Sequence, residues 1–160
     1  MKPAVAIQCL GAEFGDWDAM LDLIRCAFAY MDDVIDPPSS AHQLTPAALA
    51  DKARVEAVYI AAVDGRMAGC MFLADRGDHL YLGKLAIEPS AQGLGIGRHL
   101  LDAADRHARQ LGRREIELQV RIELSRNQAF FLSNGYRETE RTSHAGYSRI
   151  TSITFRKPVP

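Results

Sequence analysis

A cluster of glycines between an apolar segment and an amphipathic one constrains the fold of this chain most strongly. Gly93, Gly95 and Gly97 occupy alternate positions in the stretch AIEPSAQGLGIGRHLLDAA. The apolar run before them predicts a central strand over His79–Ile87, and the segment after them has the apolar spacing of a helix. A further strand is predicted at Glu115–Val120, which completes a strand–helix–strand crossover of the kind that joins parallel neighbours. The glycine loop is therefore expected at the carboxyl end of a central strand, where open α/β sheets bind ligands.

The rest of the chain predicts one mixed α/β domain spanning residues 1–160. The chain has no internal repeat or linker, and 160 residues are enough for a substantial core. Periodicity and turn residues predict the other strands at Ala4–Cys9, Glu56–Val63 and Met67–Ala74, with two more within Tyr136–Phe155. Helices are predicted after the caps Asp16 and Thr45, from the glycines to Gly112, and over Asn127–Ser133, whereas Met31–Gln43 is predicted to be a loop.

Composition and cysteine usage narrow the class of protein. The formal net charge of −1 gives no reason to expect a nucleic-acid partner. No run reaches the length of a membrane span, and the first residues do not have the pattern of a signal peptide. Cys9, Cys26 and Cys70 are odd in number and lie in apolar segments, so we expect buried, reduced thiols in a cytoplasmic protein. The five histidines are scattered, and no metal site is assigned.

The glycine loop is typical of a phosphate site, because free backbone amides at a helix N-terminus attract anions and glycine lets a ligand approach closely. Two common phosphate motifs do not fit. A dinucleotide fingerprint would need glycine where Arg98 or Leu100 stands, and a Walker A loop would need Gly-Lys followed by Ser or Thr. A purely structural turn is the alternative, although three glycines carry an entropic cost that a plain turn does not require.

The segment QGLGIG at Gln92–Gly97 instead matches the pattern Q/R-x-x-G-x-G/A. It resembles the pyrophosphate loop of the GNAT superfamily of N-acetyltransferases. YLGKLAIEP is similar to that family's fourth strand, RHLLDAADRHARQLG to its third helix, IELQV to its fifth strand, and NQAFFLSNGYRE to the next helix and its Gly-aromatic exit. The resemblance covers roughly residues 54–140. It implies an α/β (α+β) fold with a central mixed sheet of about six to seven strands, splayed parallel strands 4 and 5, and about four flanking helices.

The resemblance also implies a coenzyme site. Acetyl-CoA would be the co-substrate, without a metal, and its pantetheine arm would lie along the fourth strand as an added strand does. Asn127 matches a position from which the family often holds that arm, with an ordinary helix cap as the alternative, and Phe131 lies beside the same site. The other implied coenzyme-binding residues are Leu85, Ala86, Ile87, Gln92, Gly93, Leu94, Gly95, Ile96, Gly97 and Arg98.

The chain departs from the family where catalytic groups are concerned. Many members place a tyrosine, as a general acid, four residues before the Gly-aromatic pair, and this chain has Phe131 there. Some carry a glutamate in the fifth strand where this chain has Gln119. The candidate replacements are His79, Tyr81, Glu88, His144 and Tyr147, each of which has a plain surface or turn role as its alternative. We therefore expect catalysis by positioning, with a base that acts through water.

The function implied is transfer of an acetyl group from acetyl-CoA to a primary amine of a small molecule or peptide. A non-catalytic acyl-CoA-binding module is the alternative, and a regulatory protein that has lost the coenzyme is a third. The acidic loop residues Asp32, Asp33 and Asp36 attract a cationic amine on one interpretation and are merely solvated on the other. The expected partners are acetyl-CoA and an unidentified amine, with no nucleic acid and no membrane, and a homodimer is compatible with this interpretation.

Overall fold

The computed structural model describes residues 3–160 as one seven-stranded sheet with helices on both faces. The strands run in the order β1-β2-β3-β4-β5-β7-β6, and within the described residues the β4–β5 pair alone is parallel. The strands are β1 Val5–Cys9, β2 Ala57–Val63, β3 Arg66–Asp75, β4 His79–Ile87, β5 Glu115–Arg121, β6 Arg137–Thr142 and β7 Ser152–Pro158. The helices are α1 Trp17–Phe28, α2 Pro46–Ala53, α3 Ile96–Leu111 and α4 Ser125–Ser133. The predicted fold class is confirmed.

Local capping explains where the helices begin and end. The Asp16 carboxylate accepts a hydrogen bond from the Ala19 amide at 3.3 Å, and the Thr45 hydroxyl accepts one from the Ala48 amide at 3.1 Å. α3 ends where Gly112 takes a left-handed conformation with φ of 69°. The predicted caps and helix end are confirmed at these three positions.

The sheet separates two apolar cores. On one face, α3 contributes Ile96, Leu100, Leu101, Ala104 and Ala108 to a large core. On the other face, α1 and α2 pack a second core around Met20, Ile24, Leu49, Cys70 and Phe72. The side chain of a residue in the central strands therefore points either to the α3 face or to the α1/α2 face of the sheet.

The parallel pair β4–β5 is short, and the two strands then separate. Their ladder pairs His79 with Glu115, Leu80 with Ile116 and Tyr81 with Glu117, and it ends there. Farther along β4, a β-bulge shifts the register with β3, and Lys84 takes a positive φ of 52° within it. Bulges bend a strand and redirect its side chains. The predicted splay between strands 4 and 5 is thus confirmed, and it opens the sheet at its centre.

Two expectations need correction. The segment 31–43 was predicted to be a loop throughout, but single turns of 3-10 helix occupy Ala29–Met31 and Ser40–Gln43. The three cysteines were predicted to be buried, but Cys9 and Cys26 are exposed and Cys70 alone is buried. Cys9 ends an edge strand, and Cys26 lies on the face of α1 that the core does not cover, so apolar neighbours in sequence did not imply burial.

Among the described residues, no helix is long and apolar enough to cross a membrane.

Candidate active site

A cavity of about 1330 Å³ opens where β4 and β5 separate. Its lining is formed by β4 and the end of β5, the glycine loop with the first turn of α3, helix α4, the connection between α1 and α2, and residues of α2 and of the loop between β6 and β7. The cavity therefore reaches both faces of the sheet. Its volume exceeds the range of about 300–1,000 Å³ that is usual for a single small-molecule site, and it is compatible with two ligands bound side by side.

The glycine loop leaves the N-terminus of α3 open. Gly93 and Gly95 have φ of 87° and 77°, a region in which residues with a Cβ are strained. No side chain caps α3, and its first turn carries no acidic residue. The His99 amide already donates to the Gly95 carbonyl at 3.0 Å, so the free amides are those that precede it in the first turn. A 16-residue helix with such an end attracts an anion.

Gly97 has a different role from the other two glycines. A Cβ at this position would lie 2.9 Å from Cζ of Phe130 and 3.2 Å from Cδ1 of Ile87. The backbone here is already helical, so positive φ is not the reason for glycine. The third glycine instead lets α4 and β4 pack closely against the start of α3.

Most of the predicted coenzyme-binding residues line this one cavity. Ala86 does not, because its side chain is buried in the core of the α1/α2 face. Leu94 packs against the core of the α3 face and also lies outside the lining. The lining includes Leu85, Ile87, Gln92, Gly93, Gly95, Ile96, Gly97, Arg98, Asn127 and Phe131.

Asn127 does not cap its helix. Leu124 occupies the cap position of α4, and Asn127 lies within the first turn. Its side-chain amide donates a hydrogen bond of 2.8 Å to the hydroxyl of Tyr30, which also lines the cavity. The cap interpretation is therefore wrong, and Asn127 instead joins α4 to the 3-10 turn that follows α1, beside the cavity.

The two positions that lack the usual catalytic groups both face the cavity. Phe131 is 8% exposed and packs its ring edge-on against Tyr136, with 5.6 Å between the ring centroids. Gln119 donates a hydrogen bond to the Thr154 hydroxyl on β7 at 3.5 Å. Neither residue can supply or accept a proton in the pH range of catalysis.

Two of the five catalytic candidates, Tyr81 and His144, line the cavity. Burial and the nearby Glu117 carboxylate raise the pKa of Tyr81, so its phenol stays protonated. Burial and the positive charge of Arg121 lower the pKa of His144, so its imidazole is neutral at pH 7. The imidazole Nδ1 of His144 is hydrogen-bonded to the hydroxyl of Thr151.

The other three candidates lie outside the cavity lining. His79 lies between two carboxylates, with Nδ1 2.6 Å from Asp78 and Nε2 3.8 Å from Glu117. Glu88 is 3.9 Å from the Cys26 thiol. The Tyr147 hydroxyl donates to Asp36 Oδ1 at 2.7 Å. The structure does not bring these three side chains together with Tyr81 and His144 at the separation of β4 and β5.

Several charged residues that sequence reasoning did not single out also line the cavity. Lys84 had a recognisable signal, since it is a lysine inside the apolar run YLGKLAI. The others come from separate segments with no shared motif. They are Lys52 on α2, Glu56 before β2, Arg76 after β3 and Arg121 at the end of β5.

The acidic loop does not present its charges to the cavity. Asp32 lies 2.8 Å from Nε2 of His42, and Asp36 binds Tyr147 and Arg149. Asp33 takes a positive φ of 63° in a turn. None of the three aspartates contributes to the lining formed by the described residues.

Comparison with known proteins agrees with this architecture. The family model "Acetyltransferase (GNAT) family" matches residues 17–136, more than half of the chain, and the chain therefore belongs to that family. No curated protein sequence matches it.

Solved structures of acetyltransferases share the fold. The PaiA N-acetyltransferase from Thermoplasma acidophilum, solved in complex with coenzyme A, has a TM-score of 0.82 at 18% identity, with 97% of this chain and 99% of that chain covered. The ribosomal-protein-S18-alanine N-acetyltransferase from Escherichia coli has a TM-score of 0.76 at 22% identity, with 98% and 94% covered. The IAA acetyltransferase from Bacillus cereus has a TM-score of 0.68 at 19% identity, with 97% and 99% covered.

Proposed function

We propose that this protein transfers the acetyl group of acetyl-CoA to a primary amine of a small molecule or peptide, by direct attack within a ternary complex. The observation that carries the proposal is the open N-terminus of α3, reached through Gly93 and Gly95, at the point where β4 and β5 separate. Membership of the acetyltransferase family and the coenzyme A in the PaiA structure support it.

The residues present fit coenzyme A. The free amides of Ile96, Gly97 and Arg98 would bind its pyrophosphate, with the Arg98 guanidinium as an added positive charge. Nothing lies within 4 Å of the Cβ position of Gly93, which leaves room for a phosphate against the backbone. The edge of β4 that faces β5 has no strand partner beyond Tyr81, so Leu85 and Ile87 can pair with the pantetheine amides as with an added strand.

Acetyl-CoA supplies the thioester: the amine nitrogen forms a bond to its carbonyl carbon, the C–S bond breaks, and the sulfur leaves as thiolate. A backbone amide of β4 beyond Tyr81 would donate to the carbonyl oxygen as negative charge develops there. The neutral imidazole of His144 would take the proton of the attacking amine through water, and the phenol of Tyr81 would donate one to the thiolate. A thiolate is a good leaving group, so Phe131 in the usual acid position is compatible with turnover.

The coenzyme site is tested by the thermal shift that saturating acetyl-CoA produces. A ligand at about 100 times its Kd stabilises the folded state by about 2.7 kcal/mol, which is about 5–10 °C in Tm for a chain of this size. Gly112 provides a matched control for Gly95, because both have left-handed φ and lie at opposite ends of α3.

Gly95→Leu and Gly112→Leu are expected to lower Tm by similar amounts through the same backbone strain. Gly95→Leu alone should abolish the shift caused by acetyl-CoA. Equal shifts in both variants would contradict a coenzyme site at this loop.

Turnover is tested by thiol release from acetyl-CoA in the presence of a panel of primary amines. A second candidate function, an acyl-CoA-binding module without turnover, is favoured by Phe131 and Gln119. That candidate predicts a full thermal shift with no amine-dependent thiol release.

The three free cysteines support action in the reducing cytoplasm.

A further inference from the structure

The cavity has an excess of positive charge that the chain as a whole does not share. The chain carries a formal net charge of −1. Among residues 3–160, the acidic residue of the lining is Glu56, and the lysines and arginines are Lys52, Arg76, Lys84, Arg98 and Arg121. The positive charge is therefore local to the cavity and not a general property of the surface.

The coenzyme phosphates do not account for all of this charge. Arg98 lies in the first turn of α3, where the pyrophosphate would bind. Lys52 and Lys84 lie on the α1/α2 face instead: Lys52 Nζ is 5.7 Å from the ring centroid of Phe72, and Lys84 Nζ donates to the Ser40 hydroxyl at 3.3 Å. The sheet separates these two lysines from the N-terminus of α3, so they belong to the end of the cavity left for the acceptor.

Lys84 has no carboxylate partner at that end. The one nearby carboxylate of the lining, Glu56, is taken by Lys52 at 2.7 Å. Within the described part of the chain, the ammonium of Lys84 forms no salt bridge, and its side-chain hydrogen bond goes to the neutral hydroxyl of Ser40. Burial and the positive charge of Lys52 lower the pKa of Lys84, and the Glu56 carboxylate offsets this only in part.

The backbone fixes this arrangement. Lys84 lies in the bulge of β4 with φ of 52°, a conformation that costs a non-glycine residue free energy. The bulge is held in part by the Cys70 thiol, which donates to the Lys84 carbonyl at 3.6 Å. The side chain thereby lines the cavity to which Tyr81 also contributes. A bound anion would compensate the ammonium at this position.

We propose that the amine acceptor carries an anionic group, a carboxylate or a phosphate, which pairs with the ammonium of Lys84. This inference rests on the proposed acetyl transfer and names the class of its acceptor. The acidic loop gives no opposing attraction for a second cation inside the cavity, because none of Asp32, Asp33 and Asp36 contributes to the lining formed by the described residues. The acceptor class is thus a small amino acid or an amino phosphate, not a simple polyamine.

The test compares matched pairs of amines that differ only in the anionic group. α-Amino acids are paired with the amines left after loss of the carboxyl group, for example phenylalanine with phenethylamine. Phosphoethanolamine is paired with ethanolamine, so that the two arms distinguish a carboxylate from a phosphate. A charge-assisted hydrogen bond is worth about 1.5–3 kcal/mol, so the anionic member of at least one pair should have kcat/KM about 10–100-fold higher.

Variants of Lys84 test whether its positive charge causes the preference for the anionic amine. Lys84→Met is expected to lower kcat/KM for the anionic amine about 10–100-fold and to leave the neutral partner within about threefold. Lys84→Arg keeps the cation and should keep the preference. The thermal shift with acetyl-CoA, which does not involve Lys84, should be retained in both variants and shows that they are folded.

A binding measurement makes the result independent of turnover. N-acetylphenylalanine and N-acetyl-phenethylamine serve as product probes for the carboxylate arm, and N-acetylphosphoethanolamine and N-acetylethanolamine for the phosphate arm, each with coenzyme A present. Stabilisation of the wild-type protein by an anionic probe and not by its neutral partner, lost in Lys84→Met, supports the inference.

If the neutral amines react, and the neutral probes bind, as well as or better than their anionic partners, the inference of an anionic acceptor is overturned while the proposed acetyl transfer stands. Probe binding with the predicted charge preference but no thiol release overturns the transfer reaction while the anion site stands.

Discussion

The Tyr147 hydroxyl donates a hydrogen bond of 2.7 Å to Oδ1 of Asp36. It joins the loop between β6 and β7 to the connection between α1 and α2, which are 111 residues apart in sequence. Arg149 donates to the Asp36 carbonyl at 2.7 Å, and the Asp36 amide donates to Glu123 at 3.1 Å. Asp36 therefore connects three segments of the chain beside the cavity. The contact gives both Asp36 and Tyr147 a structural role.

Removal of this contact should affect acceptor binding more than chemistry. Tyr147→Phe and Asp36→Ala are each expected to raise KM for the amine about two- to fivefold with kcat unchanged, since the contact is exposed to solvent and its loss should be small. The double variant should be no worse than the poorer single variant, because both remove the same bond. Steady-state kinetics on the three variants checks this. A fall in kcat confined to Tyr147→Phe would indicate that Tyr147 is catalytic after all.

His144 is expected to determine the acid limb of the pH–rate profile. Its pKa is lowered from the ordinary 6.5, so the neutral base is present at pH 7 and is lost as pH falls through that lowered value. In kcat/KM, which reports groups of the free enzyme, the decline with falling pH that protonation of the amine causes should therefore steepen only below about pH 6.5 in the wild type. His144→Gln is expected to lower kcat about 10–100-fold at pH 7 and to remove that limb. Unchanged kcat and an unchanged limb in this variant would exclude His144 as the base.

Phe131 is expected to act through packing and not through proton transfer. Its ring is buried against Tyr136, so Phe131→Ala should lower Tm and reduce kcat/KM more than tenfold. Phe131→Tyr restores the ring and adds the hydroxyl that many relatives carry, and its activity should match the wild type. A large gain of kcat in Phe131→Tyr would mean that a proton donor is needed there and is missing from this chain.

The thiol of Cys70 is expected to make the free energy of unfolding fall with rising pH in the alkaline range. Burial raises the pKa of its thiol from 9.0 to about 12 in the folded protein. Between these values the unfolded chain has lost the proton that the folded chain keeps, so stability falls as pH rises, by at most about 1.4 kcal/mol per pH unit. Above the folded value both forms are ionised and the loss levels off.

Denaturant unfolding between pH 8 and pH 11 checks this prediction. Cys70→Ser keeps a donor for the Lys84 carbonyl and removes the ionisation, so its stability should depend less on pH than that of the wild type. Cys26→Ser is the matched control for the substitution itself, because Cys26 is exposed. Identical slopes in all three proteins would show that Cys70 does not titrate differently on folding.

Helices and strands were largely predictable because their signals are local. The caps Asp16 and Thr45, the Asp64-Gly65 turn and the stop at Gly112 lie within a few residues of the elements that they bound. The exposure of Cys9 and Cys26 was not predictable in the same way, because burial depends on which face of an element another element covers. The glycines illustrate both cases: sequence spacing indicated the phosphate loop, but only packing against Phe130 shows why Gly97 is glycine.

The sequence by itself determined the family, the order of the elements and the coenzyme loop, since each of these is carried by a continuous stretch of chain. Tertiary structure alone decided the excess of positive charge in the cavity. Lys52, Lys84 and Arg121 come from three separate elements, and their shared cavity exists because β4 and β5 separate beyond Tyr81. Tertiary structure also decided which distant side chains bind each other: Asp36 accepts from Tyr147, and Lys84 donates to Ser40. These contacts depend on distances of a few ångströms between residues far apart in the chain, and no local pattern encodes those distances.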